Sequence, residues 1–306
     1  MSRSALTSNA VTSSVTAIED SSLTTGTRFF VHTSGTDAAT GGLTPDDPLA
    51  SLAYAITLCT NNKGNVIYLM PGHTENVTTA AGIACSKAGV TIVGLGNGSD
   101  KATFTWTTTA STWTITAANV TIRNINTAVS VDEVVSMFSV SAADATFDGV
   151  DFKSVGTSAQ ALQWLLTTNA ADNLTIKNCR HYQLTAANSA QKWIQLVGPD
   201  FTRIVDNTFF IAANASTSSH LISGSTAVVY CEIARNNILF IGGTITIVIN
   251  LVTGSTGMIA YNNIGSGTAV ATAAVITGDG CFMMQNFWAD TAAASGFLAP
   301  VADTDT

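Results

Sequence analysis

The chain has 306 residues, enough for one large domain or two modest ones, and charged residues make up only 10% of it where about 25% is usual. Its 46% apolar content excludes a disordered chain, and 20 acidic against 12 basic side chains, a net charge of −8, exclude the dense positive face that a nucleic-acid binder needs. Apolar runs are short pieces such as residues 247–249, far below the ~20 residues of a membrane-spanning helix, so neither nucleic acid nor a membrane is an expected partner.

The first twenty residues carry one Arg but no apolar region of about 7–15 residues and no cleavage site, which predicts synthesis and residence in the cytoplasm. Residues 1–28 hold thirteen Ser or Thr and cannot build a core of their own. Such an arm is a mobile tail, or lies on its own domain, or docks on neighbouring subunits; the last is the reading carried forward. The run RFFVH, residues 28–32, reads as a strand, followed by a polar loop rich in Gly and Pro. A helix is predicted over residues 48–59, with Pro48 in its first turn, Asp46 and Asp47 as capping carboxylates, and Leu49, Leu52, Ala53, Ile56 and Cys59 as one apolar stripe. Residues 66–70, VIYLM, read as a buried strand closed by Pro71 and Gly72.

From there the chain repeats. VTIVGLGNG, VTIRNINTA, ATFDGVDFK and LTIKNCRHY share an apolar-x-apolar opening and then a corner residue at Gly94, Asn124, Gly149 and Asn178. Four further segments set an Asn between apolar flanks, at Asn207, Asn236, Asn262 and Asn286, and successive corners are 30, 25, 29, 29, 29, 26 and 24 residues apart. A second β-rich patch precedes most corners, near Trp113, Phe138, Trp164, Trp193, Leu221 and Ile247, so each unit holds at least two strands and no helical period. That is about one turn of a parallel β-helix, whereas a propeller blade takes ~40–45 residues. Asn suits the corner because it tolerates left-handed backbone angles and its amide can bond the amide of the next coil. The predicted fold is therefore all-β: a parallel β-helix of about eight or nine coils with an N-terminal capping helix and an extended N-terminal arm. The domains are the arm (1–28), a strand, loop and helix opening the solenoid (29–75), the β-helix (76–289) and a C-terminal tail (290–306).

Candidates for chemistry are few. Asp144, Asp148 and Asp151 are the densest carboxylates in the coils, with Asp132 and Glu133 one turn earlier, but Asp148 and Asp151 fall on opposite sides of a regular strand unless Gly149 bends it. Ordinary solvated or corner residues are the alternative reading. Arg180, His181 and Tyr182 read either as a base with helpers or as an outward strand edge; His32, His73 and His220 are isolated. Gly94, Gly96 and Gly98 precede no helix pattern, so they do not form a phosphate loop. The five Trp read as core or interface rather than as a sugar-stacking surface. Five cysteines form no CxxC or Cys/His cluster, and Cys231 and Cys281 share a register two coils apart, about 9–10 Å, too far for a disulfide. Five reduced thiols, no metal and no cofactor are the expectation.

The order FFVHTSGTDAATGGLTPDDPLASLAYAITLCTNN, then VIYLMPGHTENV, then Asn-bearing coils over roughly residues 29–289, resembles the pectate-lyase-like right-handed β-helix superfamily, particularly its tailed-bacteriophage virion members. The resemblance supplies the handedness. It implies a non-enzymatic structural protein of the virion, a capsid decoration or head-fibre protein that forms a homotrimer and grips the major capsid protein or another virion protein. Two alternatives stay open: a tail spike or fibre that binds or cleaves host surface glycan, with Asp148, Asp151 and Arg180 as the catalytic candidates, and a bacterial surface adhesion module. Scarce charge fits burial against other copies, because charge is depleted from the centres of interfaces.

Overall fold

The computed structural model describes residues 26–154, 159–212, 214, 218–240, 247–266, 275–278, 280–289 and 296–298. The predicted arm up to residue 25 and most of the tail lie outside these. Three sheets run the length of the molecule, two of ten strands and one of eight; their neighbours are parallel and come from successive coils, except that the second sheet closes on an antiparallel tenth strand, Gly296–Leu298. The first holds Arg28–Val31, Val66–Leu69, Thr91–Gly94 and so on to Cys281–Met284; the second runs from Thr74–Val77 to Asn286–Ala289; the third runs from Ile83–Cys85 to Ile276–Gly278. This is the predicted right-handed parallel β-helix, with three strands per coil where the sequence showed two. The strands missed were those of the second sheet, which from Asn124 to Asn262 begin one or two residues after the corner and so hid inside the corner motif.

Alternation does the packing. In each short strand every second side chain points inward, as in Trp113–Ile115 and Phe138–Val140, and the inward residues of successive coils stack into one continuous core. Aromatic rings form its spine: Phe104 on Trp113 at 5.0 Å, Trp113 on Phe138 at 5.4 Å, Phe138 on Trp164 at 5.4 Å, then Trp164 on His181 and His181 on Phe209. Four of the five Trp are fully buried there and Trp288 nearly so, which makes them core.

The capping helix forms, but as Leu52–Leu58 rather than over residues 48–59. Leu49 is taken by a parallel bridge to Val31, so Pro48 stands ahead of the helix rather than in its first turn. Ser51 becomes the N-cap, bonding the Tyr54 N–H at 3.2 Å. Asp46 and Asp47 do not cap it. Asp37 accepts from Ala50 and Ser51, and Glu75 accepts from the Leu52 N–H at 2.8 Å. Leu52, Ala55 and Ile56 face the coils, while Ala53, assigned to the stripe, is only half-buried.

The corners divide the two demands placed on Asn. Asn124, Gly149 and Asn178 have the left-handed backbone, with φ of 54°, 67° and 55°, but in later coils that backbone belongs to the preceding residue, Asp206, Arg235, Tyr261 and Gln285. Asn207, Asn236, Asn262 and Asn286 stand one position further on, fully buried, and the first three each donate Nδ2 to the next Oδ1 at 2.9–3.0 Å, while Asn286 Nδ2 donates to the Ile259 carbonyl at 2.8 Å. Asn178 therefore aligns with Asp206, not Asn207, as the pairing of Ile176 with Ile204 requires. Gly94 occupies the corner position without a left-handed φ; a Cβ there would lie 2.1 Å from the Asn124 carbonyl oxygen, and Asn124 Nδ2 donates to the carbonyls of Gly94 and Gly96.

Cys231 and Cys281 lie in one column two rungs apart, with Gly257 between them. Cys281 together with burial pushes the Cys231 thiol up. None of the five cysteines is in a disulfide. At the C-terminal end Gly296–Leu298 pairs antiparallel with Asn286–Ala289, so the predicted tail supplies one strand. No helix among the described residues is long and apolar enough to cross a membrane.

Candidate binding groove and the predicted site residues

The outer face of the second sheet is built from two columns. One position of each strand gives Thr103, Asn126, Asp151, Arg180 and Thr208 in successive coils, and the position two residues on gives Thr105, Ala128, Lys153, Tyr182 and Phe210. Between these columns and the loop at Gly98 and Ser99 lies an open groove of about 730 Å³. The Gly94, Gly96, Gly98 motif is thus wall rather than phosphate cradle: a Cβ on Gly96 would strike the Asp100 carbonyl at 1.9 Å, which is why only glycine allows this turn.

Asp151 is the centre of the groove. Lys101, almost fully buried, reaches over one rung to place Nζ 2.9 Å from Asp151 Oδ2 and 3.3 Å from the Gly149 carbonyl oxygen. From the next rung Arg180 donates Nε to Oδ1 at 3.0 Å and Nη2 to Oδ2 at 2.5 Å. Partial burial alone would raise the Asp151 carboxyl, but hydrogen bonds and charge from Arg180 and Lys101 outweigh it and hold the group below its usual range. The same contact pushes the Arg180 guanidinium up. Asp151 therefore stays a carboxylate and Arg180 a cation, so neither holds or gives up a proton near neutral pH.

Gly149 does bend the chain, with φ of +67°, and it puts Asp148 and Asp151 on different sheets. Asp148 has its own partners: Arg123 and Lys177, each at 3.6 Å, and Asn178 Nδ2 at 2.8 Å. The two carboxylates are thus separately neutralised and do not share a reacting centre. Arg180, His181 and Tyr182 separate by alternation. Arg180 faces out and His181 faces in, stacked on Phe209 with ring centroids 4.6 Å apart; burial pushes its imidazole down to about 3. Tyr182 faces the groove and stacks on Phe210 at 5.1 Å, with the planes 13° apart.

The remaining histidines are structural. His73 bridges Thr33 and Glu75, and His220 donates Nδ1–H to the Ile247 carbonyl and accepts from Asn250 at Nε2. Among the described residues no group of three or more His, Cys, Asp or Glu is arranged to hold a metal. Reading the sequence missed Lys101, Lys153 and the Tyr182–Phe210 platform. The signal was present in the register: once 178 aligns with 206, residue 182 must align with 210. The groove offers an aromatic platform beside two cationic side chains, Lys153 and the outer edge of Arg180.

No protein-family model matches this chain, and no curated protein matches it. Among solved structures it is similar to a rhamnogalacturonan lyase, at 15% identity and a TM-score of 0.40, over 90% of this chain and 65% of that one. It is also similar to ORF18 of Geobacillus virus E2, at 12% identity and a TM-score of 0.38, over 92% of this chain and 63% of that one. The chain spans a little under two thirds of the length of each.

Proposed function

We propose that this chain is a non-enzymatic structural protein of a tailed-phage particle, a rigid β-helical capsid decoration or head-fibre protein that assembles as a trimer on the shell. The observation that carries the non-enzymatic part is the state of the outward carboxylates. Asp148 and Asp151 are each clamped by two cations on separate sheets, which leaves neither free to act as the acid or the base of a pair. The phage part rests on the resemblance of the opening segment, whose strand and capping helix take the places the resemblance assigns them. Polar rows of Thr outside an apolar core suit a rod whose sides meet other virion proteins.

A second reading is favoured by the groove. Stacked Tyr182 and Phe210 beside Lys153 and Arg180 suit a sugar ring with an acidic substituent, which is what a tail spike or fibre bound to host glycan would need. Labelling the protein on intact particles and imaging them separates the two. Label over the capsid faces supports decoration; label at the tail tip overturns it. Clearance of host capsule by the purified chain, abolished in Asp151→Asn, would overturn the non-enzymatic reading as well.

A further inference from the structure

The last coils differ from the rest in surface chemistry. Residues 236–289 contain one charged side chain, Asp279, in 54 positions. These coils carry Phe282, which is 82% exposed, Met284 at 46%, Phe287 at 45% and Tyr261 at 42%, and just before them in the chain Tyr230, 63% exposed, stacks on Phe201, 51% exposed, at 5.1 Å. Phe282, Met284, Tyr261 and Phe287 adjoin one another at the last coil, while Phe201 and Tyr230 form a separate pair at the start of two earlier strands of the same sheet. Phe282 and Met284 alternate outward on the last strand of the first sheet; the Tyr261 hydroxyl donates to Met284 Sδ at 3.7 Å; Phe287 follows round the corner, its N–H bonded to the Asn262 carbonyl. The exposed parts of these six side chains amount to about three whole ones, on the order of 600 Å² at ~200 Å² each. Single monomers rarely show a contiguous apolar patch above ~300–600 Å², and one side of a stable interface buries ~800 Å².

We propose that this face, the outer C-terminal end of the first sheet and the corner beside it, is where copies of the chain associate with one another. The inference rests on the trimer reading above and names its contact surface. Three observations favour a second copy over a different protein. Each copy carries a net charge of −8, and a face built from coils so poor in charge lets two such molecules meet with few like charges opposed. Among the described residues the nearest charges, Arg203, Glu232, Arg235 and Asp206, are already paired with one another at the border of the patch. Interfaces between identical subunits are also more apolar than those with exchanging partners, whose composition follows the ordinary surface. A cleft of about 450 Å³ beside Leu239 and Gly265 adjoins the protruding Phe287, so the surface carries both a knob and a recess.

The test uses the full chain. Native mass spectrometry and sedimentation of the wild type, of Phe282→Glu/Met284→Glu, and of Leu95→Glu as an exposed apolar control in an early coil are compared at equal concentration. The inference expects an oligomer for wild type and control, and a 31.6 kDa monomer with unchanged circular dichroism for the double variant. A double variant that stays oligomeric overturns the assigned surface and leaves the trimer reading standing; a wild-type monomer overturns both. Should the double variant fail to fold, peroxide oxidation of Met284 in the wild type decides. Protection that rises with protein concentration supports the contact, and a rate independent of concentration overturns it.

Discussion

Replacing Asn236 with Ala tests the buried amide column. Its Nδ2 donates to the Ile204 carbonyl at 2.9 Å and to Asn262 Oδ1 at 3.0 Å, and its Oδ1 accepts from Asn207 Nδ2 at 3.0 Å and from the Asn207 N–H at 3.1 Å. Asn236→Ala removes all four. Asn207 Nδ2 keeps the Ile176 carbonyl and Asn262 Oδ1 keeps the Asn236 N–H, but the buried Asn207 N–H loses this acceptor. At about 0.5–1.5 kcal/mol for each bond, and about 1–3 kcal/mol for a buried group left unsatisfied, the loss is about 3–5 kcal/mol. Asn237→Ala, at the exposed next position, should change stability by about 0.5 kcal/mol or less. Asn236→Asp keeps the acceptor but turns an oxygen toward the Ile204 carbonyl and Asn262 Oδ1, so the ionised form is disfavoured in the fold. Its cost should grow as pH rises above about 3.9 and shrink in acid, where the carboxyl can donate again. Urea unfolding followed by circular dichroism at one protein concentration measures all three. An Asn236→Ala variant within 1 kcal/mol of Asn237→Ala would refute the column as a source of stability.

Acid should unfold the protein partly through His181. Burial pushes its imidazole down to about 3 from about 6.5 in the unfolded chain, so below pH 6.5 the unfolded chain binds a proton that the native chain refuses. Stability is unaffected above about pH 6.5 and falls by about 1.4 kcal/mol per pH unit from there toward pH 3; urea midpoints of His181→Phe should lack that share of the slope, and an identical slope refutes the assignment. Asp151→Ala strands the nearly buried Lys101 and should lower stability by about 1–3 kcal/mol, whereas Arg180→Ala, at a side chain 71% exposed, should cost under about 1 kcal/mol by the same unfolding measurement. Thiol titration at pH 8 should find Cys281, the half-exposed one, reacting first, while Cys59, Cys85 and Cys179, pushed up to about 12 by burial, stay slow. Unfolding without reductant should release five thiols, and fewer would contradict the unbridged cysteines of the fold.

The solenoid was legible because its core repeats every coil, and Ile204, Ile233, Ile259 and Met283 recur at one register with little noise. The corner residues were legible only as a mixture. A left-handed backbone and a buried amide both attract Asn, and in the coils of Asn124 and Asn178 the first demand took it, while from Asn207 onward the second did. A one-residue offset between these roles cannot be seen without the strand pairing. The groove was not legible for a similar reason. Lys101, Asp151 and Arg180 are 50 and 29 residues apart, and nothing in a linear reading joins them until the coils are stacked in register. Carboxylate density pointed to Asp148 and Asp151 together, yet the bend at Gly149 gives each a sheet and cations of its own.

Stacking also makes position along the axis a chemical coordinate, because each coil adds one residue to every column. The outward column of the first sheet reads Thr91, Thr121, Thr146, Thr175, then Arg203 and Glu232, then Met258 and Phe282. Two residues before it, the corner takes a left-handed backbone, supplied by Gly89, Asn119, Asp144, Asn173 and Gly280, residues that adopt it at little cost. Phe201 and Tyr230 hold the same conformation, with φ of 55° and 59°, where a bulky side chain costs about 1–2 kcal/mol each. Their mutual stacking returns about 0.5–1.5 kcal/mol, and both rings remain largely in solvent. The stability of the single chain therefore does not account for aromatic residues at these two corners. Burial against another molecule would, since it adds the apolar area that the isolated coil leaves wet, and it does so at the end of the rod where the outward column itself turns from charged to apolar.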